Sequence, residues 1–265
     1  MFQDDEISER LSFAKTLANR AGKLALGYFR NIADLQISSK GTQDMVSNAD
    51  LEVETFVRNQ IAGTYPDDGI VGEEHENKTS RSGYTWVIDP IDGTANFVNG
   101  LPAWCVILAC VHDDQVKIAA IAEPSHGELY WAAKGKGAYL NNKPLKVSHS
   151  PGVDQGNTAV GMNSRTPRSK LLHFLKLLTD RNGLFFRNAS GGLGLCYVAA
   201  GRLIGYVEPH MNAWDCLAGQ LLVAEAGGRV EQQSANTMLV NGGRVIASGP
   251  LIFDDLVDMA DQSFG

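Results

Sequence analysis

The sequence predicts an α+β fold with a mostly antiparallel sheet in the N-terminal half and alternating strands and helices in the C-terminal half. Two observations predict it. Short apolar runs separated by turn residues follow one another between residues 69 and 133, a pattern typical of an antiparallel sheet. Beyond residue 157, strand-like and helix-like segments alternate, a pattern typical of α/β architecture. The chain has 265 residues, of which 44% are hydrophobic, so it can bury a sizeable core.

The N-terminal half begins with a predicted long amphipathic helix. Residues 38–50 then form a polar, turn-rich segment, and a second helix follows with Val53, Val57 and Ile61 on its apolar face. The strand-like runs that come next are GIVGEE, TWVID, WCVILACV, VKIAAIAE and ELYWAA. In the first helix, apolar residues recur at steps of three and four, as one helix face requires: Ile7, Leu11, Ala14, Ala18, Ala21, Ala25 and Tyr28.

The polar stretch SHSPGVDQGN, residues 148–157, is the predicted boundary between the halves. It divides the chain into an N-terminal half, residues 1–150, and a C-terminal half, residues 151–265. The elements predicted for the C-terminal half are the strand TAVGM, a helix over 167–179, the strand LFFR, the helix LGLCYVAAG, the strand LIGYVE, a helix over 214–226 and the strand RVIAS.

The composition excludes several classes of partner. A formal net charge of −7 argues against a nucleic-acid or anionic-membrane surface, because phosphate backbones are bound by clustered Lys and Arg. A phosphate that binds to this protein is therefore expected to need a cation bound from solution. The acidic N-terminus has no apolar run, and no segment reaches membrane-spanning length, so we expect a cytoplasmic protein. The four cysteines lack C-x-x-C spacing and lie in apolar stretches, which predicts reduced core residues.

Acidic residues stand at the ends of several apolar runs. TWVIDPIDGTANFVNG, residues 85–100, carries Asp89 and Asp92 three positions apart, an arrangement open to a β-turn, a hairpin, an aspartyl nucleophile or a metal site. Glu73 and Glu208 follow two other apolar runs, and Asp215 opens a predicted helix. Each acid alone has an ordinary explanation, such as solvation or a helix cap. Burying several carboxylates together costs free energy unless a positive charge lies among them.

A metal site accounts best for the spacing. Magnesium prefers carboxylate and carbonyl oxygens, and two such ions need carboxylates from several segments. The fixed angle of Pro90 lets Asp89, Asp92 and the Ile91 carbonyl face one point. Gly93 permits close backbone approach, and the N–H groups of Gly93 and Thr94 would point at an anion if they open a helix. An aspartyl nucleophile of the haloacid dehalogenase type needs acids two positions apart, so this spacing disfavours it.

Four groups of residues match the signatures of a known family, the first of them in its bacterial spacing. They are Lys40-Gly41 with Asp44 and Asp50; Gly72-Glu73-Glu74; Asp89 to Thr94; and Trp214-Asp215 with Ala218-Gly219 and Glu225 to Gly228. On these residues the chain resembles the inositol monophosphatase family of magnesium-dependent, lithium-sensitive phosphatases. The resemblance covers nearly the whole chain and implies a layered αβαβα sandwich.

The resemblance also implies residue roles. Asp50 would hydrogen-bond Thr94, and Thr94 would orient the attacking water together with Glu73. The substrate would meet Asp92, Gly93, Thr94, Gly191 and, through a sugar or inositol hydroxyl, Glu208. Lys40 and Asp44 are further candidates, Lys40 either contacting phosphate or covering the site. The implied ligands of two or three magnesium ions are Glu73, Asp89, the Ile91 carbonyl, Asp92 and Asp215.

The chain departs from the family on the side of the substrate alcohol. It reads Ala189-Ser190-Gly191-Gly192-Leu193-Gly194 where relatives often have Gly-Ser-Ala-Ala followed by Asp, and Pro209 to Ala213 replaces a Gly-Leu-His-Pro type of loop. The glycines predict a roomy, less selective pocket. His210 is a possible pocket residue, although an isolated histidine in a loop favours solvent exposure.

The predicted function is magnesium-dependent hydrolysis of a small phosphomonoester by a metal-activated water, with inositol 1-phosphate first. Fructose 1,6-bisphosphate, histidinol phosphate and a nucleotide 3′-phosphate are the alternative substrates. A protein-binding regulatory role is an alternative of a different class, because some bacterial members of the family act on the transcription machinery. The resemblance also implies a homodimer, and neither direct nucleic-acid binding nor membrane binding is expected.

Overall fold

A computed structural model describes residues 2–41, 44–163 and 165–265. The side chains of Lys40 and Asp44 lie outside the described part of the chain, so their predicted roles stay predictions. The described α-helices are α1 (Phe2–Arg30), α2 (Asn48–Thr64), α3 (Thr94–Val98), α4 (Arg168–Asp180), α5 (Gly191–Ala199), α6 (Ala213–Glu225), α7 (Ala235–Asn241) and α8 (Phe253–Phe264).

The strands form two large sheets and one small ladder. They are β1 (Ile37–Gly41), β2 (Asp44–Ser47), β3 (Gly69–Gly72), β4 (Thr85–Asp92), β5 (Cys105–His112), β6 (Gln115–Glu123), β7 (Glu128–Ala133), β8 (Ala138–Leu140), β9 (Lys143–Pro144), β10 (Asn157–Val160), β11 (Leu184–Phe186), β12 (Gly205–Met211), β13 (Arg229–Val230) and β14 (Gly243–Ser248). The seven-stranded sheet has the order β3-β4-β5-β6-β7-β8-β9, the five-stranded sheet the order β11-β10-β12-β14-β13, and β1 pairs with β2.

The elements stack in five layers, which confirms the α+β sandwich. Helices α1 and α2 cover one face of the seven-stranded sheet, while α6 covers its other face. Helices α5 and α6 lie between the two sheets, because both also pack against the five-stranded sheet. Helix α8, with α4 beside it, covers the outer face of that second sheet. The order of layers is therefore helix, sheet, helix, sheet, helix.

Strand β5 shows why the sheet residues are apolar without alternation. Val106, Leu108 and Cys110 pack in the cluster under α1 and α2, whereas Cys105 and Ile107 pack in the cluster between the sheets. Both faces of the strand are therefore buried, and a continuous apolar run results. The inner cluster draws on both halves of the chain, so the boundary at residues 148–157 stays a prediction.

The pairing of the strands agrees with the prediction in one half and refines it in the other. In the seven-stranded sheet only β3 and β4 are parallel, and the other pairs are antiparallel. In the five-stranded sheet β10 runs parallel to β11 and β12, while β14 is antiparallel to β12 and β13. The C-terminal sheet is therefore mixed.

Two further outcomes concern segments and residue types. The polar segment 38–50 was expected to be turn-like, but β1 and β2 pair within it and α2 begins at Asn48. The four cysteines are free and buried, as predicted. None of the helices in the described ranges is long and apolar enough to cross a membrane.

Candidate active site

Asp89 and Asp92 share one face of β4 because the strand contains a bulge. Asp89 lies opposite Ile107 and Asp92 opposite Cys105, so three steps on β4 match two steps on β5. Residues three apart on a regular strand point to opposite faces, and one extra residue reverses that alternation. Pro90, which has no N–H to donate, lies within the bulge. Both acids consequently face the helical layer between the sheets.

Asp215 reaches the same place from α6. It is the third residue of that helix, and its Oδ2 accepts from the N–H of Asn212 at 3.0 Å and from Asn212 Nδ2 at 3.3 Å. Asp215 is therefore the N3 residue of a capping box whose N-cap is Asn212. The sequence had suggested Asp215 itself as a possible N-cap. Ligand oxygens of Asp89, Asp92 and Asp215 all lie within 4.8 Å of one another.

The electrostatic environment of these acids is dominated by other acids. Burial, followed by the charges of Glu73, Asp92 and Asp215, raises the pKa of Asp89 well above its usual value. Burial and then the charge of Asp92 raise the pKa of Asp215 to about 7. Such a group of carboxylates is stabilised by protons or by a bound cation. Oxygen donors of this kind suit a hard divalent ion.

Asp92 differs from Asp89 because donors from the start of α5 surround it. Its Oδ2 accepts from Ser190 Oγ at 2.5 Å, from the N–H of Gly192 at 2.7 Å and from Cys105 Sγ at 3.4 Å. Its Oδ1 accepts from the N–H of Gly191 at 3.2 Å. Burial raises the pKa of Asp92, and these hydrogen bonds act in the opposite direction. The arrangement ties β4 to α5 and fixes the carboxylate in place.

Glu73 follows β3, which is the parallel neighbour of β4. Gly72 lies opposite Ile88, so Glu73 leaves the sheet beside Asp89, whose pKa its charge raises. Its carboxylate does not belong to the group of Asp89, Asp92 and Asp215 oxygens within 4.8 Å. The structure therefore places Glu73 beside Asp89.

The segment that carries Glu73 is held by Glu54, a residue that the sequence analysis missed. Glu54 is fully buried, and its Oε2 accepts from the N–H of Glu74 at 2.8 Å. Its Oε1 pairs with Arg58 at 2.6 Å. A Cβ on Gly72 would lie 2.2 Å from Glu54 Oε1, so a larger residue at this position would displace the Glu54 carboxylate from these partners. A glutamate between the apolar positions of α2, four residues before an arginine, was the available signal.

Thr94 opens the short helix α3, as expected. Its Oγ1 lies 3.2 Å from Asp50 Oδ1 and 3.0 Å from the Ile91 carbonyl oxygen. The Thr94–Asp50 hydrogen bond that the resemblance implied is thus present. Gly93 precedes the helix with a φ of 94°, a conformation that glycine adopts at low cost. A Cβ there would also lie 2.9 Å from the Ala103 carbonyl oxygen.

Glu208 lies on β12 and is buried with two hydrogen-bond donors. Tyr206 donates its hydroxyl to Oε2 at 2.6 Å, and Asn163 Nδ2 lies 3.5 Å from Oε1. Burial raises the pKa of Glu208 to about 7. Tyr206 and Asn163 were missed by the sequence analysis. The two-residue spacing on one strand face could have indicated Tyr206, whereas Asn163 is 45 residues away in sequence.

The expectation that Gly191, Gly192 and Gly194 leave a roomy pocket is wrong. A Cβ on Gly191 would lie 2.4 Å from Met211 Cε, and one on Gly192 would lie 2.5 Å from Ile107 Cδ1. At Gly194 the nearest atom is Tyr206 Cε2 at 2.6 Å. Larger side chains from β5 and β12 fill the space, so these glycines permit close packing.

The expectation that His210 is solvent-exposed in a loop is also wrong. His210 is half-buried in β12. Its Nδ1 lies 3.0 Å from Arg165 Nη1, and its Nε2 lies 3.0 Å from the Asn241 carbonyl oxygen. The strand continues through Pro209 to Met211, so position 210 is not in a loop. The contacts with Arg165 and Asn241 orient the ring.

Comparisons with known proteins agree with this geometry. A model of the inositol monophosphatase family matches residues 6–261. "Nus factor SuhB" of Haemophilus influenzae is 32% identical over 260 residues, which cover 96% of this chain and 97% of that protein. "Fructose-1,6-bisphosphatase/inositol-1-monophosphatase" of Aquifex aeolicus is 34% identical over 226 residues, 84% of this chain and 86% of that protein. The structure of extragenic suppressor protein suhB from Bartonella henselae superposes with a TM-score of 0.87 at 30% identity, covering 93% of this chain and 96% of that one.

Proposed function

The chain belongs to the inositol monophosphatase family, and from that premise we propose that it is a magnesium-dependent phosphomonoesterase whose first substrate is inositol 1-phosphate. The observation that carries the proposal is the group of Asp89, Asp92 and Asp215 oxygens within 4.8 Å of one another. Asp89 and Asp92 are buried and Asp215 is half-buried. The three acids come from two segments that are remote in sequence, and their carboxylates repel one another unless a cation joins them. The alternative substrates are fructose 1,6-bisphosphate, histidinol phosphate and a nucleotide 3′-phosphate.

The acids fit the ion that the family implies. All offer hard oxygen donors, which magnesium prefers, and the same carboxylates have pKa values raised by burial and mutual repulsion. The residues proposed to hold two or three ions are Glu73, Asp89, the Ile91 carbonyl, Asp92 and Asp215. Magnesium, when bound, would lower the pKa of a water molecule and place positive charge beside the phosphate. Lithium inhibition is part of this proposal.

Thr94 and Asp50 are proposed to position the attacking water. Thr94 has one hydroxyl proton, which the Ile91 carbonyl and Asp50 Oδ1 both attract. Because that proton is directed into the protein, the lone pairs of Thr94 Oγ1 can accept a hydrogen bond from water. Glu73 would accept the second hydrogen of that water. Asp50 Oδ2 also accepts from Ser47 N and Ser47 Oγ, so its own orientation is fixed.

The substrate is proposed to lie between α3 and β12. The N–H groups of Gly93 and Thr94 belong to the first turn of α3, where backbone donors lack acceptors within the helix, and would bind phosphate oxygens. Glu208 is the candidate acceptor for a substrate hydroxyl. The start of α5 contributes through Gly191, whose N–H holds Asp92. Since neighbouring side chains fill the space at the glycines, we expect a selective pocket.

A panel of phosphomonoesters tests the proposal. Phosphate release from inositol 1-phosphate, the alternative substrates and p-nitrophenyl phosphate is measured with magnesium, with a chelator and with millimolar lithium. We expect release that requires magnesium and is fastest for one polyol or sugar phosphate. Equal release with and without the chelator would contradict a metal-dependent mechanism.

The relatives named Nus factor favour a second candidate role, binding to a protein of the transcription machinery. Such binding does not need the carboxylates of Asp89 and Asp215. The test is binding to purified RNA polymerase by wild type and by a variant lacking Asp89. Equal binding by both proteins supports a binding role that is separate from hydrolysis. Absence of binding at micromolar concentration would contradict that role.

We also propose a cytoplasmic homodimer. Four free, buried cysteines fit a reducing compartment. Strand β11 is an edge of the five-stranded sheet, and its Leu184 and Phe185 are 65% and 55% exposed. Apolar side chains on an edge strand favour a partner surface. A monomer mass from light scattering at micromolar concentration would argue against the dimer.

A further inference from the structure

A cavity lies beside the start of α6, next to the candidate metal ligands. Its volume is about 340 Å³, and its lining includes Arg165, His210, Asn212 and Trp214 together with residues 238–242 from α7 and its C-terminal end. Arg165 is the one charged group among the described lining residues, and none of these is acidic. The cavity therefore differs in charge from the adjacent acid cluster and from the chain as a whole, whose net charge is −7.

Arg165 is oriented in the cavity through one edge of its guanidinium. Its Nη1 lies 3.0 Å from His210 Nδ1 and 3.2 Å from Asn212 Oδ1. A guanidinium has five N–H donors, and these two contacts use the Nη1 donors alone. Among the described residues, Arg165 has no carboxylate partner. The Nε and Nη2 donors remain for a bidentate contact with an oxyanion.

The partners of His210 fix its tautomer. Arginine can only donate, so His210 Nδ1 must accept the hydrogen bond from Arg165. The Asn241 carbonyl oxygen can only accept, so His210 Nε2 must carry the proton. The ring also packs against Gly242, where a Cβ would lie 2.8 Å from His210 Cε1. In this tautomer the imidazole accepts a hydrogen bond from the guanidinium and adds no opposing charge beside it.

Asn212 places Arg165 close to the candidate metal ligand Asp215. The Asn212 Oδ1 accepts from Arg165 at 3.2 Å, and Asn212 Nδ2 donates to Asp215 Oδ2 at 3.3 Å. With one carboxamide between them, Arg165 Nη1 and Asp215 Oδ2 are at most about 9 Å apart. A sugar-sized carbon chain spans such a distance.

Trp214 adds a donor to the lining of the cavity. Its indole Nε1 is buried and has no hydrogen-bond partner among the described residues. The indole nitrogen can only donate, and buried donors in folded proteins normally find an acceptor. An oxygen of a bound anion would supply that acceptor.

We propose that Arg165, with the indole N–H of Trp214, forms a subsite for a second anionic group of the substrate, a phosphate or carboxylate at the end remote from the hydrolysed phosphate. The inference rests on the proposed phosphatase activity and changes the ranking of its substrates, because it favours phosphomonoesters that carry another oxyanion, such as fructose 1,6-bisphosphate, over inositol 1-phosphate. The guanidinium makes a bidentate contact with that oxyanion through Nε and Nη2. Asn212 and His210 are positioning residues for Arg165.

The test compares mannitol 1,6-bisphosphate, whose two ends are equivalent, with mannitol 1-phosphate. The readout is the ratio of the two kcat/KM values with magnesium. We expect wild type to prefer the bisphosphate at least about tenfold, and R165A to reduce that ratio at least about tenfold. R165K should recover only part of the preference, because lysine keeps the charge but loses the planar pair of donors.

Arg168 provides the matched control. It is an exposed residue at the start of α4, three positions from Arg165 and outside the cavity. R168A removes the same charge, so it reports any general effect of net charge on an anionic substrate. We expect R168A to keep the wild-type ratio. An equal loss of the ratio in R168A and R165A, or an equal loss on both substrates in R165A, would overturn the subsite.

Binding separates failure of the subsite from failure of the proposed function. Calorimetry with the bisphosphonate and monophosphonate analogues of the two substrates needs no turnover. If no phosphomonoester is hydrolysed, the phosphatase proposal fails, and the subsite still predicts at least about tenfold weaker bisphosphonate binding by R165A. If hydrolysis proceeds but wild type binds and hydrolyses both members of each pair alike, the subsite is wrong and the phosphatase proposal stands.

Discussion

The two ends of the candidate active site both bury carboxylates, but the neighbours of those carboxylates differ. Around Asp89, the charged groups that raise its pKa are Glu73, Asp92, Asp215 and Asp50. Around Glu208, the hydroxyl of Tyr206 and the amide of Asn163 supply hydrogen bonds. The buried carboxylates around Asp89 are thus stabilised by positive charge. The buried carboxylate of Glu208 is stabilised by neutral hydrogen-bond donors. The difference teaches that acidic residues in one site need separate explanations.

The largest expected effect comes from Asp89→Asn. Asparagine keeps an oxygen for the N–H of Ile91, which donates to Asp89 Oδ1 at 3.0 Å, but it removes one ligand charge. We expect kcat to fall at least about a hundredfold, while the metal-free protein does not become less stable, because one source of repulsion is gone. Magnesium should raise the melting temperature of wild type but not of the variant. Steady-state kinetics and thermal unfolding measure both effects.

The matched control is Asp180→Asn. Asp180 is an exposed acid that pairs with Lys176 on α4, and such surface pairs contribute little to stability. This variant should keep both the activity and the magnesium-dependent stabilisation. Normal turnover by folded Asp89→Asn would contradict the distinction between the two ends of the site, because the acid cluster would then have a role in packing alone.

The second prediction concerns the other end of the site, Glu208→Gln. The pKa of Glu208 is raised to about 7 in the folded protein from an ordinary value of 4.5. The folded state therefore binds more protons than the unfolded state between these pH values, and wild-type stability falls as pH rises through this window. Glutamine has no such charge, so the variant should gain stability relative to wild type by up to about 3 kcal/mol above pH 7.

Denaturant unfolding at pH 4, 6 and 8 checks this expectation. The difference between variant and wild type should open between pH 4.5 and 7 and then stay constant. Magnesium should leave it nearly unchanged, unlike the effect at Asp89. A difference that does not vary with pH would show that Glu208 is charged in the folded protein at much lower pH.

The acid cluster was predictable because its signals are local in sequence. Asp89 and Asp92 lie at a spacing that a single bulge converts to one face of β4, and Glu73 directly follows the neighbouring strand β3. The meeting of Asp215 with them depends on α6 packing against the sheet, which the resemblance implied but spacing alone did not. The layers were predictable for the same reason, since apolar runs buried on both faces need helices on both sides.

The alcohol side was not predictable because its contacts are remote in sequence. Arg165 meets His210 across 45 positions, and Gly192 meets Asp92 across 100. A glycine in a sequence indicates that a Cβ is missing but does not tell whether the space is empty, and Ile107 fills it at Gly192. The ladder of β1 and β2 was missed because its residues are mostly polar and show little alternation.

The smallest expected effect distinguishes two helix caps that have the same local chemistry. Ser190 caps α5 by accepting from the N–H of Leu193 at 3.3 Å, and Ser234 caps α7 by accepting from the N–H of Thr237 at 3.1 Å. Each hydroxyl also donates to an aspartate, Ser190 to Asp92 and Ser234 to Asp114. Asp92 is buried, whereas Asp114 is exposed. The pair therefore isolates the contribution of the acid cluster from that of a cap.

Replacement of either serine by alanine should cost about 1 kcal/mol of unfolding free energy for the lost cap. Only Ser190→Ala should also change magnesium binding, because it removes one of the donors that fix the Asp92 carboxylate. A supporting donor of this kind affects metal affinity by about tenfold or more. Magnesium titrations followed by calorimetry measure that change. If both variants bind magnesium as wild type does, Ser190 acts only as a cap, and the contrast between Asp92 and its exposed counterpart has no bearing on metal binding.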